Sequence, residues 1–190
     1  MNSNLQKLTM MLIMLPMWMN YILRTYAWMA LLETNGLINK MFGTFGLGPF
    51  QMINTDGAVV LGMVYNYLPF MILPLYTVMI KIEKPIIESA QDLGANAFGV
   101  LVKIVFPLSK PGVMSGITMV FVPSVSTFII SRMLGGGTNL LIGDLIEQQF
   151  LGNAYNPQFG SAISLILMIF ILLSMAFLNQ FDEYETEGLV

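Results

Sequence analysis

The sequence predicts an all-α integral membrane protein: four kinked transmembrane helices, with a helical loop lying outside the membrane. Three observations carry this. Apolar residues make up 56% of the 190 residues and charged residues only 10%, against about 45–50% and about 25% in soluble domains. A soluble fold of this size could not cover so much apolar surface. The apolar residues also cluster into runs that reach the length of about 20 residues needed to cross a bilayer as a helix. Finally, no segment reads as a strand ladder, and lipid forces backbone polar groups to pair internally, so a helical bundle follows.

The first span runs from about residue 8 to 32 and holds Pro16, Asn20 and Arg24. It is too long, and too often interrupted by polar residues, for a cleaved signal peptide. The second runs from about 58 to 80 and holds Asn66, Pro69 and Pro74. The third runs from about 112 to 131 and holds Pro123. The fourth runs from about 159 to 178, followed by an acidic tail over 179–190 with Asp182, Glu183, Glu185 and Glu187. Each internal proline removes a backbone donor and kinks its helix. Asn20, Arg24 and Asn66 have two readings: packing and snorkelling groups, or the lining of a polar path.

Lys7, Lys81, Lys84, Lys103 and Lys110 fall on one side of the spans, and Lys40, Arg132 and Arg24 towards the other. The excess predicts that the first side is cytoplasmic. Both termini then lie inside, with the loop over 81–111 joining the second and third spans there.

Composition also excludes several functions. There is no cysteine and no histidine, which removes disulfides, thiol nucleophiles, the usual zinc ligands and histidine acid–base chemistry. No catalytic and no metal-binding residue is assigned. No basic patch suggests nucleic acid. No Asp or Glu lies inside a span, whereas ion-coupled carriers commonly need an intramembrane carboxylate. Any transport would draw its energy from a partner.

The loop over 81–111 is too structured for a plain linker. Pro85 suits the first turn of a helix. At 3.6 residues per turn, Ile86, Ala90 and Leu93 share one face and Glu88, Gln91 and Asp92 the opposite one. Gly94 suits a helix end. Asn96 then starts a second helix with an apolar body of Phe98, Val100, Leu101, Ile104 and Val105, which Pro107 and Pro111 are expected to end. A helix lying on lipid favours Lys and Arg on its polar face. This face is acidic and amide, which better suits a protein partner.

Glu88-Ser89-Ala90, three residues, Gly94, nine residues and Ile104-Val105-Phe106-Pro107 resemble the loop motif of type I ABC importer permeases. That motif is E-A-A, three residues, G, nine residues, I-x-L-P. The spacing matches in full, with Ser89 in place of Ala and Phe106 in place of Leu. The stretches from Leu68 to Tyr76 and from Gly135 to Gly143, with Gln149-Phe150-Leu151, extend the resemblance to permeases of spermidine/putrescine importers. That family usually has six spans, so the chain maps onto the last four and is expected to be N-terminally shortened.

The resemblance implies a permease subunit in a prokaryotic cell membrane, with no cofactor of its own. Its implied partners are the lipid bilayer, a second permease subunit, an ATPase dimer that binds ATP, and an extracytoplasmic polyamine-binding protein. Glu88, Ser89, Ala90, Asp92, Gly94, Ile104 and Pro107 are then the ATPase-coupling residues, with Glu88 facing the ATPase or bracing the turn. A polyamine needs carboxylates, amides or aromatic faces along its path. The candidates are Trp18, Asn20, Tyr65, Asn66, Tyr67 and Asp144. Tyr65 and Tyr67 can equally be packing residues. Asp144 and Glu147 can equally be the solvated face of an external helix over 140–151. Two other functional readings stand beside this one: a permease for another small solute, and a non-transporting membrane scaffold or embedded enzyme.

Overall fold

The computed structural model describes residues 3–137, 140–152 and 155–187. Every regular element among them is helical. Three helices are long and apolar enough to cross a membrane: Asp56–Met79, Ala97–Val125 and Pro157–Leu178.

The first expected span is not one helix. α1 (Ser3–Met14) leads into a 3-10 turn (Leu15–Trp18), and α2 (Tyr21–Leu32) starts afresh. Pro16 opens the 3-10 turn, and Met19 and Asn20 are extended. The Asn20 side chain then accepts from the backbone N–H of Ile22 at 2.8 Å and of Leu23 at 3.4 Å. A missing donor at Pro16 and a good cap at Asn20 make a break cheaper than a continuous kinked helix. The two pieces have 12 residues each. At 1.5 Å per residue each is about 18 Å long, too short to cross about 30 Å of hydrocarbon alone.

α3 (Leu37–Thr44) is a short amphipathic helix, and α4 (Asp56–Met79) matches the second expected span to within two residues. α5 (Lys84–Asp92) is the first loop helix. α6 (Ala97–Val100), a π-helical turn (Leu101–Val105) and α7 (Phe106–Val125) follow as one continuous helix. Pro107 and Pro111 therefore do not end the second loop helix. The π turn, in which the Phe106 N–H reaches the Leu101 carbonyl, comes directly before Pro107. It absorbs the proline's missing rung locally.

The third expected span, 112–131, also ends early. α7 stops at Val125, two residues beyond Pro123, and α8 (Ile129–Leu134) is separate. α9 (Ile142–Leu151) follows, and α10 (Pro157–Glu187) runs past the expected end at residue 178. The acidic side chains expected on the tail lie outside the described residues, as do Thr138 and Asn139.

The chain divides into two units, and the three long helices contribute to both. One comprises residues 1–69 and 123–166; the other comprises 70–122 and 167–190. In the first, α4 and α8 approach closely at Gly62, where an added Cβ would meet Leu134 and would lie 2.9 Å from Ile130. Asn54, with φ of 61°, donates its N–H to the Leu134 carbonyl at 2.8 Å and ties the start of α4 to the end of α8. In the second, α7 packs on the second half of α4 through Gly112 and Gly116.

Candidate functional site

Glu83 is the extended residue before α5, and Pro85 sits in the first turn. Its absent N–H there would have had no intrahelical partner anyway. The helix ends in a Schellman turn. The Ala95 N–H donates to the Ala90 carbonyl at 3.0 Å, and the Gly94 N–H to the Gln91 carbonyl at 2.9 Å. Gly94 takes φ of 86°, the left-handed conformation this turn requires. Asn96 then caps the next helix, its Oδ1 accepting from the Gly99 N–H at 2.7 Å. Ser89 Oγ donates back to the Pro85 carbonyl at 2.7 Å.

The loop presents more apolar surface than its helical wheel suggests. Leu93 is 90% exposed and Phe98 73%, and Ile86 is exposed as well. Thus the Ile86–Ala90–Leu93 face does not seal against this chain. Glu88 and Asp92 are also exposed. The turn is held by backbone bonds, and no hydrogen bond from Glu88 braces it among the described residues.

What carries the loop is a tightly joined helix pair. An added Cβ at Gly112 would lie 3.1 Å from the Pro74 carbonyl oxygen and 3.1 Å from Leu75 Cα. At Gly116 it would meet Met71 Sδ at 2.5 Å. The loop begins at the end of α4 and returns into α7, so both roots belong to one packed pair. Packed cores resist continuous deformation, so the two roots of the loop are held together by this seam. Ile104 and Pro107 lie on the α7 root; Glu88, Ser89, Ala90, Asp92 and Gly94 lie on or just after α5.

The first unit holds a polar interior. Arg24 and Thr25 of α2, Asn66 and Tyr67 of α4, Thr127 and Ser131 around the start of α8, and Asp144 and Gln149 of α9 are all buried. Tyr21 Oη and Thr127 Oγ1 are 3.2 Å apart. The Tyr67 hydroxyl donates to the Pro123 carbonyl at 3.1 Å. Asn66 Nδ2 donates to the Gly62 carbonyl at 2.8 Å, but its buried Oδ1 has no partner. Arg24 does not snorkel: its Nε and Nη1 are buried without partners. Such unmet groups typically cost about 1–3 kcal/mol, more when charged. Buried polar groups without partners therefore mark a site worth explaining.

The six expected path residues separate into four groups. Asn66 and Tyr67 are buried in the polar interior. Tyr65, half-buried, stacks edge-on with Trp28 at 5.2 Å between ring centroids. Trp18 is 91% exposed on the 3-10 turn, and Asn20 is the exposed cap of α2. Asp144 belongs to the fold: its Oδ1 accepts from Ser131 Oγ at 2.8 Å and its Oδ2 from the Leu141 N–H at 2.9 Å. It is not a solvated face, and Glu147 is taken by an ion pair with Arg132. Tyr21, Thr127 and Ser131 were not among the expected residues. Their only signal was polarity beside Asn20, Pro123 and the end of a span.

Residues 1–183 match the family described as binding-protein-dependent transport system inner membrane component. The chain is 38% identical over 168 residues to the spermidine/putrescine transport system permease protein PotB of Haemophilus influenzae, covering 87% of this chain and 58% of that protein. It is 38% identical over 164 residues to PotB of Escherichia coli K12, covering 85% and 59%. It is 28% identical over 186 residues to the inner membrane ABC transporter permease protein YdcU of the same organism, covering 91% and 59%. The chain thus spans less than two thirds of the length of these curated relatives.

Proposed function

The chain belongs to the family of binding-protein-dependent transport system inner membrane components, and from that membership we propose that it acts as a permease subunit of an ATP-driven importer for spermidine and putrescine. In this reading it is a multi-pass inner-membrane transport subunit and performs no chemistry itself. ATP is hydrolysed by a separate ATPase dimer. A second permease subunit completes the path, and an extracytoplasmic binding protein delivers the polyamine. Excess Lys on the loop side supports a cytoplasmic loop and cytoplasmic termini.

The observation that carries the mechanism is the α5 unit. Its exposed Leu93 and acidic Glu88 and Asp92 suit a groove on an ATPase. Closure of the ATPases on ATP displaces α5, and the Gly112–Gly116 seam moves α4 and α7 together. Within the polar interior, the unpartnered Asn66 Oδ1 and the aromatic face of Tyr67 are acceptors suited to an ammonium group, and Tyr65, half-buried against Trp28, offers a second aromatic face. Trp18, exposed on its turn, and Asn20 serve at most the approach to that path. Asp144 supports the path by holding α8 to α9.

The polyamine assignment rests on the likeness to PotB. It is tested by uptake of labelled putrescine, spermidine and small anions into vesicles carrying the chain with its partner subunits. Polyamine uptake that depends on ATP and on the binding protein is expected. Uptake of another solute alone points to a permease of different specificity, and ATPase activity that no binding protein stimulates points to a scaffold.

A further inference from the structure

α3 is amphipathic in the wrong sense for a helix packed on its own chain. At 3.6 residues per turn, Leu37, Ile38, Met41, Phe42 and Phe45 form one arc, with Asn39, Lys40 and Gly43 opposite. The buried side chain is the polar one: Asn39 is 4% exposed. Leu37, Met41, Phe42 and Phe45 are exposed, Phe45 by 80%, and Leu47 and Phe50 of the following turn are exposed too.

Asn39 acts as a clamp. Its Nδ2 donates to the Phe50 carbonyl at 2.8 Å and the Glu33 carbonyl at 3.2 Å, and its Oδ1 accepts from the Phe50 N–H at 2.9 Å. The clamp ties α3 to the end of α2 and to Phe50, six residues before α4 begins at Asp56. Six extended residues reach at most about 20 Å. Phe50 therefore lies within about 20 Å of the start of a helix long and apolar enough to cross a membrane.

We propose that α3 and the turn through Phe50 form an interfacial anchor, lying in the headgroup–acyl boundary of the bilayer with the apolar arc in lipid and Lys40 at the phosphates. Its side chains are almost all apolar. Asn39 is used in the clamp, and Thr44 Oγ1 already donates to the Met41 carbonyl at 2.7 Å. Lys40 is the sole charged residue between Glu33 and Asp56. A long cationic stem beside an apolar arc suits anionic head groups. Such an anchor would hold the end of α2, which the Asn39–Glu33 bond joins to α3.

The chain has no cysteine, so Met41→Cys, Phe45→Cys and Lys40→Cys each give one labelling site. The full chain is reconstituted in phosphatidylcholine/phosphatidylglycerol vesicles and labelled with an environment-sensitive fluorophore. The expected result is loss of fluorescence at Met41→Cys and Phe45→Cys with lipid spin-labelled near the head group, and little loss with iodide. Lys40→Cys should show more iodide quenching than either. Iodide quenching without lipid quenching at Phe45→Cys overturns the proposal in favour of a water-facing finger. Shielding from both quenchers overturns it in favour of a covering protein, a second copy or a partner. This readout involves no transport, so its outcome is independent of the substrate assignment.

Discussion

Gly94 offers a way to separate backbone strain from crowding at the loop turn. Its φ is 86°, and a Cβ built there meets nothing within 4 Å. Replacement thus costs conformational energy alone, provided no partner packs on the site. For alanine in a left-handed conformation the cost is roughly 1–2 kcal/mol, which lowers the ratio of the reversed turn to its alternatives roughly 5–30-fold. Asparagine tolerates this region better than alanine, and β-branched valine tolerates it worse. The expected order is therefore Gly94, then Gly94→Asn, Gly94→Ala and Gly94→Val. Gly94→Asp should fall below Gly94→Asn, because it adds a carboxylate close to Asp92. The assay is polyamine taken up per ATP hydrolysed, in vesicles carrying the chain with its partners. ATP hydrolysis should persist while uptake declines. If Gly94→Ala outperforms Gly94→Asn, the order follows side-chain size, and contact with a partner rather than φ governs the site. If Gly94→Asp transports at the parental rate, the assignment of this loop to coupling is overturned.

Three further outcomes are expected. Gly112→Ala brings a Cβ against the Pro74 carbonyl and Leu75 Cα, both backbone atoms that cannot rotate away. It should destabilise by about 1–3 kcal/mol and lower the Tm in detergent, whereas Gly43→Ala, with open space around its Cβ inside α3, should hold or raise the Tm. Asp144→Ala removes the acceptor of Ser131 and Leu141 and should cost about 1–3 kcal/mol; a fall in uptake with no change in Tm would instead make Asp144 a substrate contact. Asn66→Leu removes a buried acceptor without a partner, so the Tm should hold or rise while uptake falls, and unchanged uptake would take Asn66 out of the path.

The loop was legible in the sequence because its determinants are local. Pro85, Gly94 and Asn96 act on backbone groups within five residues of themselves, so caps and spacing predict the helix–turn–helix directly. The break at Pro16 was half legible. Proline announced a kink, but Asn20 had two uses, and its capping bonds to Ile22 and Leu23 turned the kink into a restart. Pro107 misled in the other direction, since a π turn just before it let the helix continue.

Apolar runs and charge asymmetry are properties of neighbouring residues, and from them follow the membrane class, the long helices and a loop suited to a protein partner. Which polar groups are satisfied depends on what packs against them from distant parts of the chain. Asp144 is held by Ser131, 13 residues away, while Asn66 and Arg24 are left with unmet atoms. The same carboxylate or amide in the sequence is compatible with a solvated face, a fold contact or a path residue. Only the approach of α8 to α2, α4 and α9 separates these roles, because burial and pairing set the free energy of a polar group, and neither is a property of the residue alone.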